Sequence, residues 1–207
     1  MGLLRLLFHD PFAFVLLVIP LLYSVIIHEV AHGWVAYRMG DATAKWLGRL
    51  TLDPRKHLDP LGTIMLLVIG FGWAKPVPVN FNNLRDQRKG LIFVSAAGIT
   101  ANILMALLAL LALRLVHLPP YGAATTMLFY LARINIVLAA FNLIPIPPLD
   151  GSKILMGFTS RSFQYSLSRL EPYGMFIIIG LLLLGILDPV ITFLEWAIIS
   201  LISLVIP

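Results

Sequence analysis

Apolar residues in this chain run in unbroken blocks, where an amphipathic soluble helix would alternate with a period of 3.6. Residues 11 to 27 carry no charged side chain, and the block they begin extends to about residue 37. Further blocks cover residues 91 to 113, 123 to 143, 172 to 187 and 189 to 206. A helix needs about 20 consecutive apolar residues to cross a bilayer. The blocks therefore predict about five spanning helices, the last two forming a hairpin that turns at Asp188-Pro189. Pro20 predicts a bend in the first. Residues 1 to 10 read as a short amphipathic lead with Arg5 and His9.

Two stretches break this pattern. Residues 60 to 73 are apolar but only 14 long and hold three glycines, which predicts a short re-entrant segment and not a span. Residues 74 to 82 (AKPVPVNFN) predict extended backbone. Pro76 and Pro78 strip the N–H donors from one edge, while Val77 and Val79 keep theirs on the other. Such a small edge strand can hold an extended peptide by strand addition; the same prolines would also suit a blunted loop. The expected fold class is an all-α polytopic membrane protein with about five spanning helices, a short re-entrant segment and a small extended edge strand.

Composition supports the membrane reading. Of 207 residues, 59% are hydrophobic and 12% charged, about half the charged share of a soluble domain. Mean hydropathy is +0.93. There are no cysteines, so disulfides and thiolate metal sites are excluded, and any metal must be held by His, Asp or Glu. The net charge of +5 does not point to nucleic acid, because the basic residues are scattered over the connecting loops. The first apolar block lacks a small-residue cleavage site, so a removable signal peptide is not expected.

The candidate chemistry lies inside the first span, where ionisable side chains are costly and imply function. His28-Glu29-Val30-Ala31-His32 is an H-E-x-x-H pattern. Residues four apart share a helix face, so both imidazoles can reach one metal ion. Zinc suits two His ligands; a catalytic zinc takes a third protein ligand and leaves one position for water. Glu29 is then placed to act as general base.

Later in the chain, Pro145, Pro147 and Pro148 stop the helix that carries Asn142, and Asp150-Gly151 follows. Irregular backbone at membrane depth is tolerated where it lines a cavity. Asp150 is a candidate third ligand, or an N-cap for the next helix, and the two roles are compatible. Asn142 can hydrogen-bond a substrate backbone or a developing oxyanion. Asn102, on a small-residue face with Ala96, Ala97, Gly98 and Ala101, reads as a hydrogen bond between helices. Asp53 reads as a solvated loop residue. With His57 and Asp59 it forms a second cluster of possible ligands, those two without an assigned role, and Arg133, near the middle of a span, either pairs with a carboxylate, the structural reading, or stabilises substrate.

If residues 60 to 73 return to the side they left, twelve Lys and Arg residues lie on one face and Arg5 and Arg114 on the other. That bias makes the basic face cytoplasmic and puts His28, His32 and Asp150 in the cytoplasmic half of the cell membrane.

Three motifs resemble the site-2 protease family of zinc intramembrane metalloproteases: His28 to His32 within a membrane helix, Asn142-Leu143-Ile144-Pro145 ahead of Leu149-Asp150-Gly151, and Trp73 to Asn80 between them. The resemblance covers roughly residues 20 to 160. Many members carry Gly-Pro where this chain has Gly98-Ile99. The resemblance implies one Zn2+ on His28, His32 and Asp150, water activation by Glu29 and substrate positioning by Asn142. It also implies a transmembrane protein as substrate, often a membrane-tethered regulator already trimmed by another protease. Residues 1–171 would form the catalytic membrane core, and residues 172–207 a C-terminal helical hairpin that serves packing or homo-oligomer formation. Two other classes stay open. A metal or ion transporter would be expected to show internal repeats; a catalytically silent membrane adaptor would have no need of Glu29.

Overall fold

The computed structural model describes residues 3–70 and 72–206. Its helices are α1 (Leu3–His9), α2 (Pro11–Arg38), α3 (Thr43–Trp46), α4 (Pro60–Ile69), α5 (Gln87–Leu115), α6 (Ala123–Leu143), α7 (Asp150–Phe158), α8 (Arg161–Ser168), α9 (Glu171–Leu183) and α10 (Asp188–Ser203), with single 3-10 turns at Pro54–Lys56 and Phe81–Asn83. Local chemistry sets the starts of the two longest, α2 and α5. Asp10 caps α2 by accepting from the Ala13 N–H at 2.9 Å, with Pro11 in the first turn, where its missing N–H costs nothing. Asp86 caps α5 in the same way, through the Lys89 N–H.

Three described helices are long and apolar enough to cross a membrane: α2, α5 and α6, with 28, 29 and 21 residues. Helices α8 and α9 make a fourth only if taken together across a 67° bend. The expected count of about five spans is thus not reached. Helices α9 and α10 are joined by a turn over residues 184–187, and they have 13 and 16 residues, roughly 20 and 24 Å against a hydrocarbon core of about 30 Å. The apolar run to residue 187 is interrupted because the chain turns at Gly185, whose φ of +69° lies in the left-handed region.

The segment after α3 leaves and returns to one level. Asp59 caps α4 through the Gly62 N–H at 2.8 Å, and α4 ends ten residues on at Gly70. Leu58 and Ala74 then form an antiparallel bridge, and the Lys75 N–H donates to the His57 carbonyl at 2.8 Å. A segment that crossed the bilayer could not bring its ends together. The expected edge strand over residues 74 to 82 is reduced to this one bridge: among the described residues no β-strand forms. The run is extended, but beyond Lys75 the Val77 and Asn80 N–H groups go to carboxylate side chains. Buried Asp41 accepts from the Asn80 N–H, the Thr43 N–H and hydroxyl, and the Asn83 amide, tying the run to the end of α2.

Helices α2, α5 and α6 pack on one another, and α7 lies against α5. Small buried residues (Ala106 and Ala109 on α5; Ala132, Ala139 and Ala140 on α6) let the backbones approach closely. Ile198 and Ile202 of α10 complete the core they form with Ile99 and Ile136. Ile178 of α9 and Leu187 pack on Ile144 and Leu149, which pins the irregular stretch before Asp150. The C-terminal helices therefore share their core with the rest of the molecule.

Candidate metal centre

His28 and His32 lie one turn apart on α2, both buried. Their Nε2 atoms are 3.0 Å apart, and each is 3.1 Å from Asp150 Oδ2. Asp150 arrives at the first turn of α7, where Leu149 and not Asp150 is the N-cap, so its side chain is free of capping. Gly151 permits this approach: a Cβ there would stand 2.2 Å from the Leu143 carbonyl oxygen. Among the described residues these three form the one cluster of His, Asp or Glu side chains able to share a metal ion.

The outer nitrogen of each ring faces an oxygen. His28 Nδ1 lies 2.5 Å from Asn102 Oδ1, and His32 Nδ1 lies 2.7 Å from the Val94 carbonyl. Both Nδ1 atoms therefore carry the proton, and both Nε2 atoms present lone pairs inward. Asp150 Oδ2, which they face, is buried and receives no hydrogen bond. Three bare donors about 3 Å apart repel one another unless a cation sits between them, and the triangle suits a small ion with ligand distances of roughly 2.0–2.2 Å. Two nitrogens and one carboxylate oxygen form a donor set that zinc accepts, with a further position left open.

Glu29 sits beside this cluster, half-buried, and its Oε2 accepts the Val77 N–H at 2.7 Å. That bond redirects the edge donor expected to face substrate: Val77 is buried, and its N–H holds the carboxylate. A cavity of about 730 Å³ opens onto the site, lined by the three ligands, Glu29, Val77, Val79 and Asn142. Asn142 returns one amide hydrogen to the Leu138 carbonyl at 2.9 Å and borders the cavity. All the expected site residues are thus gathered around one space. Lys153 and Glu171, unmarked in the sequence by any motif, reach its wall.

The other polar candidates lie elsewhere. His57 is fully buried and bonded to the Thr51 carbonyl, Asp59 caps α4, Asp53 pairs with Arg55, and Arg133 pairs with Glu195 at 2.7 Å across α6 and α10. Sequence reading understated Asn102 and Gly98. Asn102 does bridge helices, but it also ends on a ligand. A Cβ on Gly98 would lie 2.5 Å from His32 Nε2 and 2.6 Å from His28 Cε1, so only glycine lets α5 pass the imidazoles. The Gly98-Ile99 dipeptide was visible; what it touches was not.

The family description "Peptidase family M50" matches residues 117–185. The chain is 41% identical over 172 residues to "Putative zinc metalloprotease YwhC" of Bacillus subtilis (strain 168), covering 80% of this chain and 78% of that protein. It is 32% identical over 176 residues to "Putative zinc metalloprotease Rip2" of Mycobacterium tuberculosis (strain ATCC 25618 / H37Rv), covering 82% and 67%. Similarity to "Zinc metalloprotease MJ0392" of Methanocaldococcus jannaschii is 26% over 149 residues, covering 72% of this chain and 36% of that one. No solved structure matches. Identity at this level over most of both chains, on top of a His-His-Asp cluster with an adjoining Glu, shows that the chain belongs to peptidase family M50, the site-2 protease family of metalloproteases.

Proposed function

We propose that this protein is an intramembrane zinc endopeptidase that cuts a peptide bond within or near a transmembrane helix of a membrane-tethered protein. The observation that carries the reading is the cluster of bare donors on His28, His32 and Asp150, with Glu29 beside it, opening onto a cavity among apolar helices. His28, His32 and Asp150 would hold the zinc, which would supply Lewis acidity toward a peptide carbonyl and a bound water. Glu29 takes the proton of the attacking water and delivers it to the leaving amine. With Oε2 bonded to the Val77 N–H, Oε1 is the oxygen left to carry that proton.

The substrate helix must unwind to expose a peptide bond, because its backbone is already hydrogen-bonded. The extended run through Val77 and Val79 forms the wall along which the unwound stretch lies, and the Asn142 amide orients its carbonyl. The substrate enters from the bilayer, and the protein is a multi-pass protein of the cell membrane. Its active site lies in the cytoplasmic half; the return of the chain at Leu58 and Ala74 supports this by keeping the basic loops on one face.

The test uses detergent-purified protein and a panel of single-span substrates. Parent protein should hold about one zinc and cut; Glu29→Gln should hold zinc and not cut; Asp150→Ala should bind zinc weakly. A parent that binds no zinc when supplied with it overturns the reading.

A further inference from the structure

We propose that Asn102 is a positioning residue that dictates which nitrogen of His28 faces the metal, and that Ser24 and Asn135 hold it in the one orientation able to do so. This rests on the metal-centre reading above.

A side-chain amide has a donor end and an acceptor end, and the end turned to His28 decides whether Nδ1 donates or accepts. Backbone carbonyls settle the choice, because they can only accept. The Leu131 carbonyl takes a hydrogen from Asn135 Nδ2 at 2.7 Å, so the Asn135 NH2 lies on that side. Its second hydrogen goes to Ser24 Oγ at 2.7 Å, and Ser24 donates onward to the Pro20 carbonyl at 2.6 Å. Asn135 Oδ1 is left to accept from Asn102 Nδ2 at 2.7 Å, and the Ser24 carbonyl faces the same nitrogen at 3.4 Å. Both hydrogens of Asn102 are then committed, and only Oδ1 remains for His28. Nδ1 must donate, and the lone pair must sit on Nε2, toward Asp150.

Ser24, Asn102 and Asn135 are fully buried, on α2, α5 and α6 respectively. Buried amides are expensive unless every bond is made. His32 has no need of such a relay, because its Nδ1 meets the carbonyl of Val94, which cannot turn over. His28 Nδ1 meets a side chain, which can. The relay removes that freedom.

The test compares Asn102→Leu and Asn102→Asp with the parent. Leucine has similar bulk and no acceptor. Aspartate keeps an acceptor oxygen toward His28 Nδ1, as in a carboxylate–histidine pair. Two readouts apply: zinc affinity by chelator competition, and histidine 15N NMR of the zinc-free protein, which reports the tautomer. Asn102→Leu should bind zinc roughly 10- to 100-fold more weakly and show mixed His28 tautomers. Asn102→Asp should stay near the parent in both. Parent-like behaviour of Asn102→Leu overturns the inference. So does an equal loss in both variants, which would make Asn102 a packing residue only. If the parent binds no zinc, the metal-centre reading fails, and the His28 tautomer in the parent still decides the positioning role.

Discussion

Replacing Gly98 by Ala puts the smallest possible probe against the metal ligands. The added methyl would stand 2.5 Å from His32 Nε2 and 2.7 Å from His28 Nδ1, where ordinary contact begins near 3.4 Å. Something must give by nearly an ångström. The rings are held by Asn102 and Val94, so the strain falls on α5 or on the ligand geometry. Metal sites tolerate errors of about 0.2 Å in ligand distance. Two effects act on folding stability with opposite sign. Alanine is favoured over glycine within a helix by about 1 kcal/mol, and overpacking costs about 1–3 kcal/mol. They nearly offset, so the metal-free protein should unfold within about 2 kcal/mol of the parent. Zinc binding has no such offset and should weaken at least 100-fold, removing about 2.7 kcal/mol of zinc-dependent stabilisation. The assay is thermal unfolding in detergent with and without added zinc. The parent should show a clear rise in Tm with zinc, and Gly98→Ala little or none. An equal rise in both would refute the idea that α5 passes the imidazoles this closely.

Three further outcomes are expected. Val77→Pro removes the N–H that holds Glu29 Oε2, so cleavage should slow while zinc content by metal analysis stays at about one; unchanged turnover would sink that role. Chelator treatment should lower Tm, and zinc should restore it, because removing the ion leaves Asp150 Oδ2 facing two lone pairs. Burial alone would raise the Asp41 carboxyl, but hydrogen bonds from the Thr43 hydroxyl, the Asn83 amide and the backbone N–H groups of Asn80 and Thr43 outweigh it and hold the group below its ordinary value. Its stabilising contribution is therefore present above the unfolded carboxylate pKa and is lost as pH falls through the lower folded one. Asp41→Asn should flatten the acid side of the Tm–pH curve, and an unchanged slope would count against the role of Asp41 in fastening the extended run.

The parts that were legible in the sequence are those that local periodicity carries. Two imidazoles four residues apart on a helix face the same way whatever surrounds them, so His28, Glu29 and His32 could be read as a unit. Length and hydropathy marked α2, α5 and α6 as spans, and the short block before Trp73 as one that turns back. Hydropathy misjudged the C-terminus, because Leu182 to Leu187 are as apolar as their neighbours and the left-handed turn at Gly185 does not alter an average.

What the sequence alone determined, then, was the chemistry on offer and the helix face that presents it. Only the tertiary structure decided what that face meets. Asp150 had to be delivered by a broken helix packed on α9, Glu29 had to find the Val77 N–H, and Asn102 had to be turned by a relay from two other helices. The physical reason is that these contacts join positions far apart in the chain. No spacing rule links them; they follow from how closely small residues let α2, α5 and α6 approach, and from the cost of leaving any buried donor or acceptor unpaired.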